Sequence, residues 1–257
     1  MKKFLIYQIY TFLKRFILVF IVLEICYSSN IKTANSQIYK AIEYAIAIDA
    51  DTSDWQGILF ETINKKTHLW VGQGMLVENW EGLNDLSFTW RAAWKGNKIY
   101  FLFVVTDNII SPFNRPNSWL NDCVEICIDP KLTRGMRKEI KNEKVILNGY
   151  ETHFLPMLPP HAFMYDDHSP YFLEKPQDDD FKNLWNGEIA VNYTESGYIL
   201  ELGFSIPETS LQKGTVLGME IAVCDDDGNS RKSLLTWTGI QNDYWVKMDK
   251  YGKLILK

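Results

Sequence analysis

The sequence predicts an all-β protein, an antiparallel β-sandwich of jelly-roll type. Three observations point there. Short segments of alternating or continuous apolar character recur along the chain; turn residues separate them; and almost no helical period lies between them to serve as a crossover. The 257 residues are enough for one large domain or two small ones, and a composition of 46% hydrophobic and 23% charged residues is that of an ordinary globular protein. No internal repeat or linker divides the chain, so residues 38–257 are expected to form a single sandwich domain after an N-terminal segment.

That segment, residues 1–28, reads as a signal peptide or N-terminal anchor. Lys2, Lys3, Lys14 and Arg15 precede the apolar run Phe16–Leu23, and small polar residues follow, the order expected of export. The run is short for a spanning helix, although "FLIYQIYTFL" lengthens the apolar region upstream. Cleavage after Ser28, an uncleaved anchor and acylation of Cys26 all stay open. The expected location is outside the cytoplasm: secreted, periplasmic or at the cell surface. Removing these residues takes away four basic side chains and Glu24, moving the formal charge from -5 to -8. Such a balance argues against nucleic acid as a partner, and leaves the membrane as a partner only through an uncleaved N-terminus.

The strands follow in order. "AIEYAIAID" (41–49) opens the domain and ends in the turn-rich "DADTSDW". In "LSFTWRAAW", Leu86, Phe88, Trp90, Ala92 and Trp94 point one way and Ser87, Thr89 and Arg91 the other. The connection "KGNK" leads into "IYFLFVVTD", apolar on both faces as a central strand should be. In "CVEICID", Val124, Ile126 and Ile128 alternate with Cys123, Glu125 and Cys127, so packing the first set aims Glu125 outward. Then come "KVILNGYETHF", "EIAVNY", "GYILELGFSIP", "VLGMEIAVCDDDG", "SLLTWTG" and "GKLILK". "KLTRGMRKEIKNEK" reads as an exposed loop or a helical turn. Residues 156–181 hold five prolines and no period, which marks a long surface flap. His161, His168 and Asp178–Asp180 lie in it without the spacing of a transition-metal site. Trp90, Trp94 and Trp237 are expected in the core, with Trp55 and Trp70 ambiguous. Cys123 and Cys127, about 13 Å apart along one strand, cannot bridge each other; either can meet Cys224 across strands, or all three serve simply as small half-buried residues.

The succession "IDADTSDW", "DLSFTWRAAWKGNKIYFLFVVTDN", "WLNDCVEICIDP", "GYILELGFSIP", "LGMEIAVCDDDG" and "LTWTGIQNDYW" resembles the family 9 carbohydrate-binding modules, over residues 45–257. The resemblance implies a sandwich of two antiparallel sheets that grips sugars of xylan and cellulose fragments without cleaving them, in company with glycoside hydrolases. It further implies a sugar slot walled by Trp119 and Trp245, with Glu125, Asp107 and Asn242 bonding the hydroxyls. The family's arginine near "YETHFLPM" is absent. His153 is its nearest polar replacement, and Arg91 is the candidate substitute.

Physical chemistry accounts for such a slot. Indole faces cover the C–H patches of a pyranose ring, and a water-excluded, charged acceptor strengthens the bonds at its edge. The bland alternatives are rim packing for Trp119 and Trp245, an ion pair for Glu125 and a turn for Asp107. The resemblance also implies structural calcium, with Asp49, Asp51 and Asp54 in one loop and Asp225, Asp226 and Asp227 in another as candidate ligands. A glycosidase needs two carboxylates flanking one bond, about 5–5.5 or 6.5–9.5 Å apart; Asp122 and Glu125 point to opposite faces of a strand, so no enzyme is expected. A haem-binding redox domain of the wider superfamily, using Met219 and His153, and a module that has lost its ligand are the alternatives.

Overall fold

The computed structural model describes residues 37–257 other than 73, 74, 76, 112–116, 166–176, 229, 230 and 242. The N-terminal segment, His168 and Asn242 therefore lie outside the described residues. Among those described, no helix is long and apolar enough to cross a membrane.

Strands dominate: β1 (Ile38–Glu43), β2 (Glu61–Ile63), β3 (Leu86–Lys95), β4 (Lys98–Asp107), β5 (Cys123–Asp129), β6 (Lys138–Lys141), β7 (Lys144–Leu147) and β8 (Tyr150–Leu155) precede β9 (His161–Tyr165). A short helix, α1 (Asp178–Leu184), and strands β10 (Glu188–Thr194), β11 (Gly197–Phe204), β12 (Val216–Asp226), β13 (Arg231–Thr236) and β14 (Gly252–Leu256) complete the chain. One half of the sheet runs β10-β11-β4-β3, with β2 beside β3; the other runs β14-β12-β5-β8-β9, with β13 beside β12. Strand β1 joins the halves, pairing parallel to both β14 and β3. The expected pair of separate antiparallel sheets is thus one sheet curled back on itself, antiparallel except at β1.

The curl buries the alternating apolar sets against one another. Leu86, Phe88, Trp90, Ala92 and Trp94 of β3 meet Val124, Ile126 and Ile128 of β5 and Leu217, Met219, Ile221 and Val223 of β12 in one core. Trp90 lies edge-on to Trp237, centroids 5.0 Å apart, and both are fully buried as expected. β4 is central, between β3 and β11, which explains its continuous apolar run.

Three segments differ from the sequence-based reading. "KLTRGMRKEIKNEK" carries β6 and the turn that leads into β7, with which it forms a hairpin. Its alternation is short and lysine-rich, so it looked like a solvated loop. "KVILNGYETHF" is divided at Asn148 and Gly149 into β7 and β8, which belong to different sheets. The proline-rich flap contains β9 and α1, with Asp178, Asp179 and Asp180 in the first helical turn, where negative charge suits the helix dipole. His161 Nδ1 lies 2.8 Å from Asp178 Oδ2.

Outside the β3-β4 face, Glu201 holds the segment after β1. Its carboxylate accepts from Asp49 N at 2.9 Å, Ala50 N at 2.5 Å and Trp55 Nε1 at 2.5 Å, and it is fully buried. Removing it strands these donors. Glu201→Ala is expected to cost about 2–3 kcal/mol in urea unfolding and to open residues 47–58 to proteolysis; unchanged stability would show that other contacts hold the segment.

Candidate functional site

The outward residues of β5, β8 and β12 do not face water. Cys123, Cys127, Leu155, Phe163, Ala222, Cys224 and Leu234 form a second apolar cluster, roofed by Trp70, Met75, Ile240, Tyr244, Met248 and Tyr251 from the loops. Trp119 and Trp245 pack against it as half-buried side chains. Trp119 stands on a short 3-10 turn, Ser118–Leu120, immediately before β5. Trp245 lies between β13 and β14, edge-on to Trp70 at 5.4 Å and to Tyr244 at 5.1 Å. The two tryptophans, far apart in sequence, thus rim the same cluster.

Glu125 is aimed to the expected side, but it forms the floor of this cluster, only 3% exposed. Its Oε2 accepts from Tyr244 Oη at 2.5 Å and its Oε1 from Cys224 Sγ at 3.1 Å. Burial alone would raise its pKa; the charges of His153 and Arg231 and the two bonds outweigh this and hold it below the usual glutamate value. Across the ladder, Glu125 pairs with Ala222 of β12 and His153 of β8. His153 is buried, with Nδ1 2.8 Å from Ser118 Oγ and Nε2 3.1 Å from Glu151 Oε1. Its ring meets Trp119 edge-on at 6.3 Å. Arg231 Nη1 donates to the Trp119 carbonyl at 3.3 Å, and Arg137 Nε to the Trp245 carbonyl at 2.7 Å.

Two expected site residues lie elsewhere. Arg91 projects from the opposite half of the sheet, where Nη1 donates to the Trp55 carbonyl at 2.6 Å and the guanidinium covers Phe60. It shares a sheet half with neither tryptophan, so it cannot replace the missing arginine. Asp107 shares the inward face of β4 with Phe101, Phe103 and Val105 and ends in an acidic cluster with Asp122 and Asp225. The two residues considered as haem ligands are not brought together: Met219 is in the main core, whereas His153 is on the other face of that half of the sheet.

In the acidic cluster, one oxygen from each of Asp107, Asp122 and Asp225 lies within 4.8 Å of the others, and all three residues are buried. Asp225 Oδ1 has no hydrogen-bond partner among the described groups. A convergent set of carboxylate oxygens with a spare lone pair fits a hard divalent cation. The other calcium candidates are used differently. Asp49 and Asp51 accept backbone N–H groups within their own turn, and Asp54 accepts from Ala47 N at 3.1 Å. Asp226 accepts from Gly228 N at 3.0 Å, and Asp227 pairs with Lys232 at 2.5 Å. Asp225 alone among the six joins the cluster.

Tyr244, Arg137 and Arg231 were missed because their roles depend on loop placement. Asp107 and Asp225 did carry a signal: each continues the inward set of its strand, where a carboxylate needs a partner.

The sequence profile of the carbohydrate family 9 binding domain-like family matches residues 59–150 and 161–257. The chain belongs to carbohydrate-binding module family 9. Family 9 modules bind carbohydrate and are non-catalytic. This family 9 chain is 24% identical over 229 residues to endo-1,4-beta-xylanase A of Thermoanaerobacterium saccharolyticum, covering 86% of the chain and 16% of the relative. It is 22% identical over 179 residues to exoglucanase XynX of Acetivibrio thermocellus, covering 68% and 14%. The module therefore spans about one sixth of the length of these relatives. A family 9 module from Caldicellulosiruptor kristjanssonii, solved with cellotriose, shares the fold with a TM-score of 0.63 at 14% identity, over 86% of this chain and 94% of that one. The same module solved with glucose also gives 0.63, at 15% identity over 86% and 96%.

The acidic cluster yields a prediction for metal-free protein. Burial pushes Asp107 up to about 7, Asp122 up to about 9 and Asp225 up to about 8, and Asp107 adds to the rise at the other two. Carboxyls raised in the fold contribute stability that is complete below pH 3.8, their unfolded value, and lost as pH rises through 7–9. In chelator, the melting temperature should therefore fall from pH 5 to pH 9. Asp225→Asn should raise it by roughly 2–8 °C at pH 8; a flat profile with no gain would contradict the clustering.

Proposed function

We propose that this protein is an exported, non-catalytic carbohydrate-binding protein that holds a pyranose of a xylan- or cellulose-type oligosaccharide between Trp119 and Trp245. It would serve polysaccharide breakdown by glycoside hydrolases carried on other polypeptides. The observation that carries this reading is the placement of two half-buried indoles from distant loops on one cluster, above a floor containing ionised Glu125. The relatives' names and the cellotriose-bound module point to the same ligand class. Export rests on the order of charge and hydropathy in residues 1–28.

The chemistry follows from the residues. Indole faces would cover the ring's C–H patches, and the rims would exclude water from the hydroxyl edge. Both oxygens of Glu125 are engaged by the protein, so its part is to fix Tyr244 and polarise the floor. Asn242 would bond a sugar hydroxyl, as the resemblance in sequence implies. Asp107 passes from the sugar slot to a calcium site with Asp122 and Asp225, where the ion would neutralise carboxylates from the two halves of the sheet.

Two measurements test these assignments. Cello- and xylo-oligosaccharides should quench tryptophan fluorescence. Trp119→Ala and Trp245→Ala should each weaken binding at least about a hundredfold, in line with loss of a central aromatic contact, with the far-UV circular dichroism unchanged. Binding that survives both substitutions would overturn the clamp. For the ion, 1:1 calcium binding by calorimetry should raise the melting temperature at pH 8, and Asp225→Asn should abolish both effects; a response retained by the variant would place calcium elsewhere.

A further inference from the structure

The two tryptophans are joined below the surface by a continuous chain of side chains. The carbonyl of Trp245 accepts from Arg137 Nε at 2.7 Å, and Arg137 Nη2 pairs with Glu151 Oε2 at 2.7 Å. Glu151 Oε1 lies 3.1 Å from His153 Nε2, and His153 Nδ1 lies 2.8 Å from the hydroxyl of Ser118, the residue before Trp119. Glu151 and His153 are two positions apart on the outward face of β8, so a single strand spans the gap between the loops.

A second chain returns by another route. The Trp119 carbonyl accepts from Arg231 Nη1 at 3.3 Å, and the same nitrogen is 3.9 Å from Cys224 Sγ. Cys224 and Tyr244 both donate to Glu125, and Tyr244 adjoins Trp245. The chains approach each other at the centre, where His153 Nε2 is 3.9 Å from Glu125 Oε1.

We infer that these contacts form one closed ring that fixes the separation and tilt of the Trp119 and Trp245 indoles, with His153 the positioning residue at its centre. The physical reason is that the middle of the ring is enclosed: the contacts of His153 with Ser118 and Glu151, and of Glu125 with Cys224 and Tyr244, are all buried. Glu151 is 8% exposed and His153 1%, so a shift of either tryptophan loop must break a buried polar contact or be passed round the ring. A sugar slot of fixed width presents both walls without paying to order them on binding. This rests on the saccharide reading for its purpose but not for its existence, and the test separates the two.

The protein labelled with 5-fluorotryptophan gives a fluorine resonance for each tryptophan, assigned by single Trp→Phe replacements. Ser118→Ala, a mild change beside Trp119, should shift or broaden the Trp245 resonance, and Arg137→Gln, beside Trp245, should do the same to Trp119. In cellotetraose titrations each variant should lose about tenfold in affinity, and the double variant about tenfold rather than about a hundredfold, because cutting one chain twice costs little more than cutting it once. Resonance changes confined to the neighbouring tryptophan, or losses that multiply, would overturn the ring. Should Arg137→Gln unfold the protein, the Ser118→Ala spectrum alone decides. If the unsubstituted protein binds no cellotetraose, the saccharide reading falls while the fluorine spectra still settle the ring.

Discussion

A carboxylate enclosed by protein persists as an ion only where donors and positive charge meet it, and that constraint at Glu125 organises the outward face of the sheet. Tyr244 Oη and Cys224 Sγ take its two oxygens, while the charges of His153 and Arg231 hold its pKa below the usual value against the effect of burial. Three of these four partners also reach a tryptophan loop. Ser118, bonded to His153, precedes Trp119; Arg231 holds the Trp119 carbonyl; and Tyr244 lies beside Trp245. The need to satisfy one buried charge therefore brings two half-buried aromatics to one place.

The opposite solution operates at the end of the core. Asp107, Asp122 and Asp225 converge with no ion pair to a Lys, Arg or His among the described residues, and burial pushes their carboxyls up into the range where they hold protons near neutral pH. One buried acid is balanced by side chains and the other group by protons or by an ion. The two sites draw on the same strands, because β5 and β12 each carry an inward and an outward set. Asp225 and Cys224 are neighbours on β12, yet they belong to the acidic cluster and to the tryptophan floor respectively.

Much of this was readable from residue alternation. Val124, Ile126 and Ile128 against Cys123, Glu125 and Cys127 gave the two faces of β5, and Leu86 to Trp94 gave those of β3, because a half-buried strand imposes period two. The same rule applied to Asp107 would have placed it inward beside Val105, yet family likeness suggested the sugar slot. Arg91 was misplaced for a different reason: alternation gives the face of a strand but not which half of the curled sheet holds it. Arg137 lay hidden in a charged stretch that looked solvated. Its role depends on a pairing with the Trp245 loop that no local pattern encodes.

The central claim is that Trp119 and Trp245 form a single clamp over the Glu125 floor. A crystal structure of the protein grown with cellotriose tests it most directly. The account predicts one pyranose ring lying between the two indoles, with Glu125 still bonded to Tyr244 beneath it. A sugar bound on another surface, or indoles too far apart to touch one ring, would contradict it.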